Sequence, residues 1–305
     1  MSYSKKRIEY NNKWPNEVII FSAQKAFLEL LNDKGIINIL RPIKLPLIEN
    51  YEFQRLLSFK IDIYEQLPNR PDIGFDLAWR TFEAYSTYIA KKSNWSVSKT
   101  WKITNKISED FFINQYNNNS ELNSAFKELT KAVPLQATEY LIKKLFEEES
   151  SAIKSQQRQI TDRVKDCIGN ELFDAIEKKY GDLNADTQRR AGMLLQILLS
   201  GREIELEEKK YQLSQLQIIK LLINGILYTY RNERFHGDAF SPFKSSMTKI
   251  KTYAHSYYLL ISTYFFISQL IYKDYPNLIE LSEIAKSLNE NTVRYNLVFE
   301  KHIKK

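Results

Sequence analysis

Tyr230-Arg231-Asn232-Glu233-Arg234-Phe235-His236-Gly237 stands where a long apolar helical pattern runs out, and it sets an Arg five positions ahead of a His. An Arg keeps its charge at any physiological pH and grips a phosphate through a planar fork, while a His exchanges protons near neutrality. RNA cleavage needs both abilities. On an unbroken α-helix, positions five apart stand about 140° apart around the axis and do not face one ligand together. The spacing therefore predicts that the helix ends between Arg231 and His236, with Gly237 as terminator and Pro242 unable to continue it. Arg231 then projects from the last helical turn, and His236 swings back towards it.

Upstream, residues 203–231 read as one long helix, acidic at Glu203, Glu205, Glu207 and Glu208 and apolar further on at Leu213, Leu216, Ile219, Leu222, Ile223, Ile226 and Leu227. Acids at the start and arginines at the end suit the helix dipole. That gives Arg231 and Arg234 a second explanation as dipole partners, and His236 one as a donor to the last carbonyls. Downstream, the longest apolar run is 257–272, which carries Ser262, Thr263, Ser268 and Gln269. A membrane span wants roughly 20 apolar residues, so this run is expected to be a buried core helix. Only 8 Gly and 8 Pro in 305 residues argue against folds rich in tight turns, and 43% hydrophobic content fills a core. The expected class is all-α.

With Asn directly after the Arg, the pattern Arg231-Asn232-x-x-x-His236 resembles the signature of HEPN domains, an all-helical superfamily whose active members are mostly metal-independent endoribonucleases. The apolar stretches 213–230 and 253–272 match the two helices that flank that signature. The resemblance covers about half of the chain, and its specificity comes from the helical setting more than from the letters. It implies a HEPN-like helical bundle over 71–275, with an N-terminal accessory region at 1–70, a helical insertion at about 101–200 and a C-terminal helix and tail at 276–305. It also implies cleavage by attack of the ribose 2′-hydroxyl on the adjacent phosphate, with no metal and no other cofactor. In that chemistry His236 is general acid or base, and Arg231 stabilises the charge on the phosphate. Asn232 positions the pair or bonds a phosphate oxygen, and Arg234, Lys244, Lys249 and Lys251 hold the RNA backbone. In the family the site is commonly completed across a homodimer, here expected through the helices flanking Arg231. Many members are toxins or antiviral defence effectors, which brings an antitoxin or other regulatory protein into view as a partner. Others bind RNA or protein without cleaving. That alternative stays open, as does a helical scaffold in which the Arg/His pair only caps a helix.

Residues 72–92, with Phe75, Leu77, Ala78, Trp79, Phe82, Tyr85, Tyr88 and Ile89, resemble the first helix of such a domain, where an acidic residue commonly sits mid-helix. Glu83 is the candidate, orienting a side chain of the Arg/His site; the reading favoured over it is a rim carboxylate paired with Arg80 or Lys91. Lys244, Lys249 and Lys251, beside Ser245, Ser246 and Thr248, either hold phosphates at a helix start or form an ordinary N-cap. His255, among Tyr253, Tyr257 and Tyr258, is expected to be a hydrogen-bonded core residue rather than a catalyst. Glu147 to Glu149 followed by Lys154, Arg158, Arg163 and Lys165 read as a solvated helix. Asn184 or Asp186 caps the helix carrying Leu194, Leu195 and Leu198.

The first 70 residues show helical spacing around Phe27, Leu28, Leu30 and Leu31, an extended connector with Pro42 and Pro46, and an amphipathic segment at 51–67, but no chemistry. Val18-Ile19-Ile20-Phe21 reads as a short strand or a helix start. Lys and Arg exceed Asp and Glu by 44 to 37, a net +7 that suits a polyanion such as RNA or serves solubility alone. A single Cys, Cys167, allows no internal disulfide and points to a reducing compartment; three widely spread His add no usual zinc site. Residues 1–7 are polar and basic with no apolar core behind them, unlike a secretory signal. The expected location is cytoplasmic, without a membrane partner.

Overall fold

A computed structural model describes residues 2–97, 99–147, 154–182, 184–236 and 241–303, with the side chains of 154–158 and 233–236 outside that description. It is 74% helical, with a two-stranded sheet, in keeping with the all-α class that sparse Gly and Pro predict.

The chain opens with α1 (Tyr3–Lys13) and α2 (Ser22–Asp33), runs extended past Pro42 and Pro46, and continues as α3 (Tyr51–Glu65) and α4 (Pro71–Lys92). Residues 18–21 are an extended lead into α2. Pro71 opens α4 at a position where its missing N–H has no intrahelical partner to lose, and Lys91 and Lys92 close it at the negative end of the dipole. Next come α5 (Thr100–Ile107), a π-helical turn Ser108–Phe112, α6 (Ile113–Asn118) and α7 (Ser120–Lys131). They are followed by α8 (Leu135–Phe146), α9 (Lys154–Ile168), α10 (Asn170–Tyr180) and α11 (Ala185–Leu199). Asn184 caps α11 with a reciprocal bond from Thr187, as its position predicts. After the strands β1 (Ile204–Leu206) and β2 (Lys209–Tyr211) the chain forms α12 (Gln215–Lys220), a π-helical stretch Leu221–Leu227 and α13 (Tyr228–His236). A short 3₁₀ turn, Pro242–Lys244, leads to α14 (Ile250–Asp274) and α15 (Leu281–Ile303).

The expected single helix over 203–231 is corrected by the hairpin. Ile204 and Leu206 point into the core while Glu205 between them is exposed, a period of two rather than 3.6. Glu207 and Glu208 make the turn with φ of 50° and 64°. Both positions have the positive φ that tight hairpin turns require. The helix begins only at Ser214, whose hydroxyl and Gln217 form a capping box.

The core is built on α14, buried continuously from Tyr253 to Ile271. α4 lies along it, with Phe82 and Phe266 ring centroids 6.2 Å apart. Both ends of the chain join the same core: Phe27 of α2 stacks on Tyr253 at 4.0 Å and on Phe299 of α15 at 6.0 Å. The segment 101–200 does so too, Phe112 meeting Phe266 at 5.2 Å and Gln269 donating to the Tyr116 hydroxyl at 3.1 Å. One continuous core therefore crosses residues 70 and 275, and the segments named from the sequence pack as one body.

Arg163 also departs from the expected solvated helix. It is 2% exposed, its guanidinium lies 4.5 Å from the Tyr228 ring centroid, and it donates to the Thr229 hydroxyl at 3.3 Å and the Asn224 carbonyl at 3.4 Å. Burial lowers its pKa. One turn further along α9, Cys167 is a buried free thiol, its pKa pushed up to about 12 by burial.

Candidate functional site

α13 packs across α4 through aromatic contacts, Tyr228 on Trp79 at 5.6 Å and Tyr230 on Phe75 at 5.8 Å. Its C-terminal end is thereby directed towards the start of α4. Side chains on a helix lean towards its N-terminus. For Arg231 that lean is back along α4 towards Glu83, and the Nη2 atom lies 3.2 Å from the Glu83 Oε2 atom. The Nη1 group donates to the Asn232 side-chain oxygen at 3.0 Å, and the other Glu83 oxygen accepts from the Thr100 hydroxyl at 2.8 Å. Both charged side chains are about a quarter exposed, 25% for Arg231 and 26% for Glu83. Glu83 thus meets Arg231 rather than Arg80 or Lys91, against the reading favoured from the sequence. Thr100 was missed because a hydroxyl at the start of α5 carries no signal of which helix edge it will touch.

α13 runs on through His236, so the helix does not end between Arg231 and His236 as the spacing predicts. The side chains of Arg234 and His236, and Gly237, lie outside the described residues. The chain is described again from Ser241, whose hydroxyl accepts from Arg70 at 3.3 Å.

The structure disperses the three candidate lysines. Lys244 turns to the N-terminal region, its ammonium 4.5 Å from the Phe21 ring and 5.0 Å from the Tyr10 ring, and its carbonyl accepts from Arg7 at 2.9 Å. Burial, with the nearby Arg70 charge, lowers its pKa. Lys249 precedes α14 and donates its backbone N–H to the Thr252 hydroxyl at 3.1 Å, the N-cap role. Lys251 is exposed, and its charge bears on Glu139.

Beneath α13, the fully buried Asn224 of the π-helical stretch ties three elements together. Its side-chain oxygen accepts from Thr104 at 2.7 Å, and its amide donates to the Asn105 side chain at 2.7 Å and the Trp101 carbonyl at 3.3 Å. Asn105 in turn bonds Asp166.

His255 is a core residue as expected, its ring 4.6 Å from that of Tyr230. The expected hydrogen bond at Nε2 is absent among the described residues, and burial lowers its pKa to about 3. An unfolded His titrates near 6.5, so from about pH 6.5 downward the unfolded chain takes up a proton that the folded chain refuses. Stability is full above that pH and falls as pH drops towards 3. In urea unfolding, wild type is expected to lose about 2 kcal/mol more than His255→Leu between pH 7 and pH 5. Parallel losses in the two proteins would show that His255 does not set the acid sensitivity.

Among the described residues no group of His, Cys, Asp and Glu is placed to hold a metal ion, and no helix is long and apolar enough to cross a membrane. On the helices flanking Arg231, Ile218 to Leu227 and Tyr253 to Ile271 are buried within the chain, while Tyr228, Tyr230, Arg231 and Asn232 are part-exposed. No family model, curated protein or solved structure matches the chain.

Proposed function

We propose that the chain is a metal-independent endoribonuclease of HEPN type. What supports this reading is the Glu83–Arg231–Asn232 arrangement: an Arg on the His-bearing helix, held from both sides at a part-exposed position. A carboxylate that fixes an Arg fork keeps the planar group oriented at a part-exposed position where a phosphate can reach it. The arrangement directly follows a π-helical stretch, a distortion frequent at functional sites.

In the proposed reaction the 2′-oxygen bonds the adjacent phosphorus and the bond from phosphorus to the 5′-oxygen breaks. His236 of one copy takes the 2′-hydroxyl proton and a protonated His236 of the other copy gives one to the leaving 5′-oxygen, so no net proton is consumed. The products are a 2′,3′-cyclic phosphate and a 5′-hydroxyl. Arg231 neutralises the charge that builds on the non-bridging oxygens, where preorganised donors act most strongly. DNA lacks the attacking hydroxyl and stays intact. Two copies meeting over the part-exposed Arg231 and Asn232 would line one cleft with two Arg/His sets, one His for each proton transfer. Action on cellular RNA as a toxin or defence effector, held by an antitoxin or other regulator, is the biological role this reading carries.

The test is incubation of the purified chain with total RNA in EDTA, beside His236→Ala, with analysis of product ends. Cleavage by wild type alone, leaving 2′,3′-cyclic phosphates, is expected. RNA bound but left intact would replace this reading with a non-cleaving RNA-binding module, and neither binding nor cleavage would leave a helical scaffold.

Glu83 is a positioning residue in this scheme. Glu83→Ala is expected to lower kcat by about tenfold with little change in KM, while Glu83→Gln, which keeps a hydrogen-bond acceptor for Arg231, recovers most of the rate. Stability should fall by about 1 kcal/mol or less in either variant, the range of part-exposed ion pairs. An unchanged kcat in Glu83→Ala would reduce the pair to a helix clamp.

A further inference from the structure

We propose that the cleft formed by Arg7, Tyr10, Asn11, Trp14, Phe21 and Lys244 binds one unstacked nucleotide, its base on the aromatic wall and its phosphate between Arg7 and Lys244. The cleft measures about 480 Å³, within the range of small-ligand sites.

α1 is the first argument. None of its residues is buried, so core packing does not account for it. Yet Arg7, Tyr10, Asn11 and Trp14 recur at the spacing of one helix face, and that face is the cleft wall. The Arg7 bond to the Lys244 carbonyl at 2.9 Å fixes this face against the turn after α13.

The second argument is chemical. Among the described residues the lining of the cleft has two cationic residues and no acidic one. The Lys244 ammonium rests against the Phe21 and Tyr10 rings, and Asp72, whose charge bears on it, is gripped by both arms of the Arg70 fork at 2.9 and 2.8 Å. A half-desolvated cation whose neighbours are ring faces gains from an arriving anion. Trp14 remains 64% exposed at the mouth, an open indole on which a base of any sequence can stack, and Asn11 offers both a donor and an acceptor to a base edge. A bare anion would leave the open Trp14 indole without a role, which favours a nucleotide.

Place is the third argument. α13 points to the start of α4, where Arg70 meets Ser241 just ahead of Lys244. Glu83, which holds Arg231, stands about 16 Å along α4 from Asp72. The cleft thus lies within reach of a strand gripped at Arg231. That last step rests on the ribonuclease reading, whereas the cleft and its chemistry do not. The nucleotide comes either from an RNA strand or from a free mononucleotide.

The experiment uses the full chain and Trp14→Ala, Lys244→Gln and Trp14→Phe, each checked for fold by circular dichroism. Binding of 5′-AMP, 5′-UMP, adenosine and inorganic phosphate is measured by calorimetry, and binding of a short 2′-O-methyl oligonucleotide by fluorescence anisotropy. Nucleotide or oligonucleotide binding should be saturable and weaken about tenfold or more in Trp14→Ala and Lys244→Gln, while Trp14→Phe, which keeps a stacking ring, stays close to wild type. Adenosine and phosphate alone should each bind about tenfold more weakly than the nucleotide. Binding of the oligonucleotide only, or competition by it, assigns the strand as source; mononucleotide binding that the oligonucleotide does not displace assigns a free nucleotide. No saturable binding of either, binding untouched by both substitutions, or phosphate binding as tight as the nucleotide's would overturn the site. RNA cleavage is assayed on the same preparations: a cleft that binds in a chain that does not cut removes the ribonuclease reading alone, and a chain that cuts with a cleft that does not bind removes this one alone.

Discussion

Arg231→Ala is expected to lower the rate of RNA cleavage by about 10²- to 10³-fold, the usual effect of removing a preorganised donor from the developing charge of a transition state. The loss should fall mainly on kcat, because the charge that Arg231 meets is greatest in the transition state rather than in bound RNA. Arg231→Lys keeps the charge but not the planar fork, and with it the paired contacts to Asn232 and Glu83 at 3.0 and 3.2 Å. It should therefore recover only part of the rate. His236→Ala should cost about 10²- to 10⁴-fold by loss of proton transfer. In the proposed reaction Arg231 and His236 serve one step, so the double variant should be scarcely slower than the worse single variant. Rates are compared by single-turnover cleavage of one labelled RNA. Multiplying losses in the double variant, or full activity in Arg231→Ala, would remove Arg231 from the chemistry and leave it as the helix clamp that its dipole position also explains.

The largest effect on stability is expected from Asn224→Leu, about 3 kcal/mol. The two side chains are similar in size, so the cost comes from hydrogen bonding and not from a cavity. Leu leaves the Asn105 side-chain oxygen without its donor at 2.7 Å, takes one donor at 3.3 Å from the Trp101 carbonyl and removes the acceptor of the Thr104 hydroxyl, in a place closed to water. Each orphaned buried group costs about 1–3 kcal/mol. Thr104 is less affected, since its hydroxyl also reaches the Trp101 carbonyl at 3.0 Å. Urea unfolding should show a lower midpoint with an unchanged slope. A loss under about 1 kcal/mol would mean that the network is not holding α5 against the π-helical stretch. The stretch leads directly into α13, so the same variant should also cleave more slowly at temperatures where it remains folded.

Parts of this molecule were legible in the chain for local reasons. The start of α4, expected at Asp72 and found one residue earlier at Pro71, the Asn184 cap and the buried run of α14 each depend on residues within a few positions of one another. Period and capping are local chemistry, and they carried over. The hairpin was hidden because a charged stretch offered both a dipole explanation and a two-residue alternation, and the Ser214 capping box that marks the true helix start went unread. A cation on a mixed-charge helix is usually exposed, so the residues around Arg163 predict solvent. Tyr228 and the backbone of the π-helical stretch make a place for it that no nearby residue announces.

By itself, then, the sequence determined the all-helical class, the helical setting of Arg231, and the chemistry available to Arg231 and His236. Only the tertiary structure decided that Glu83 meets Arg231 across 148 positions of chain and that Lys244 faces Tyr10 and Phe21. It alone brought Arg7, Tyr10, Asn11, Trp14 and Phe21 together with Lys244 around one cleft. The reason is physical: propensity and period arise within one or two turns, whereas the partner of a long polar side chain is set by which helix edge docks beside it, and docking is settled by the apolar faces packed around α14.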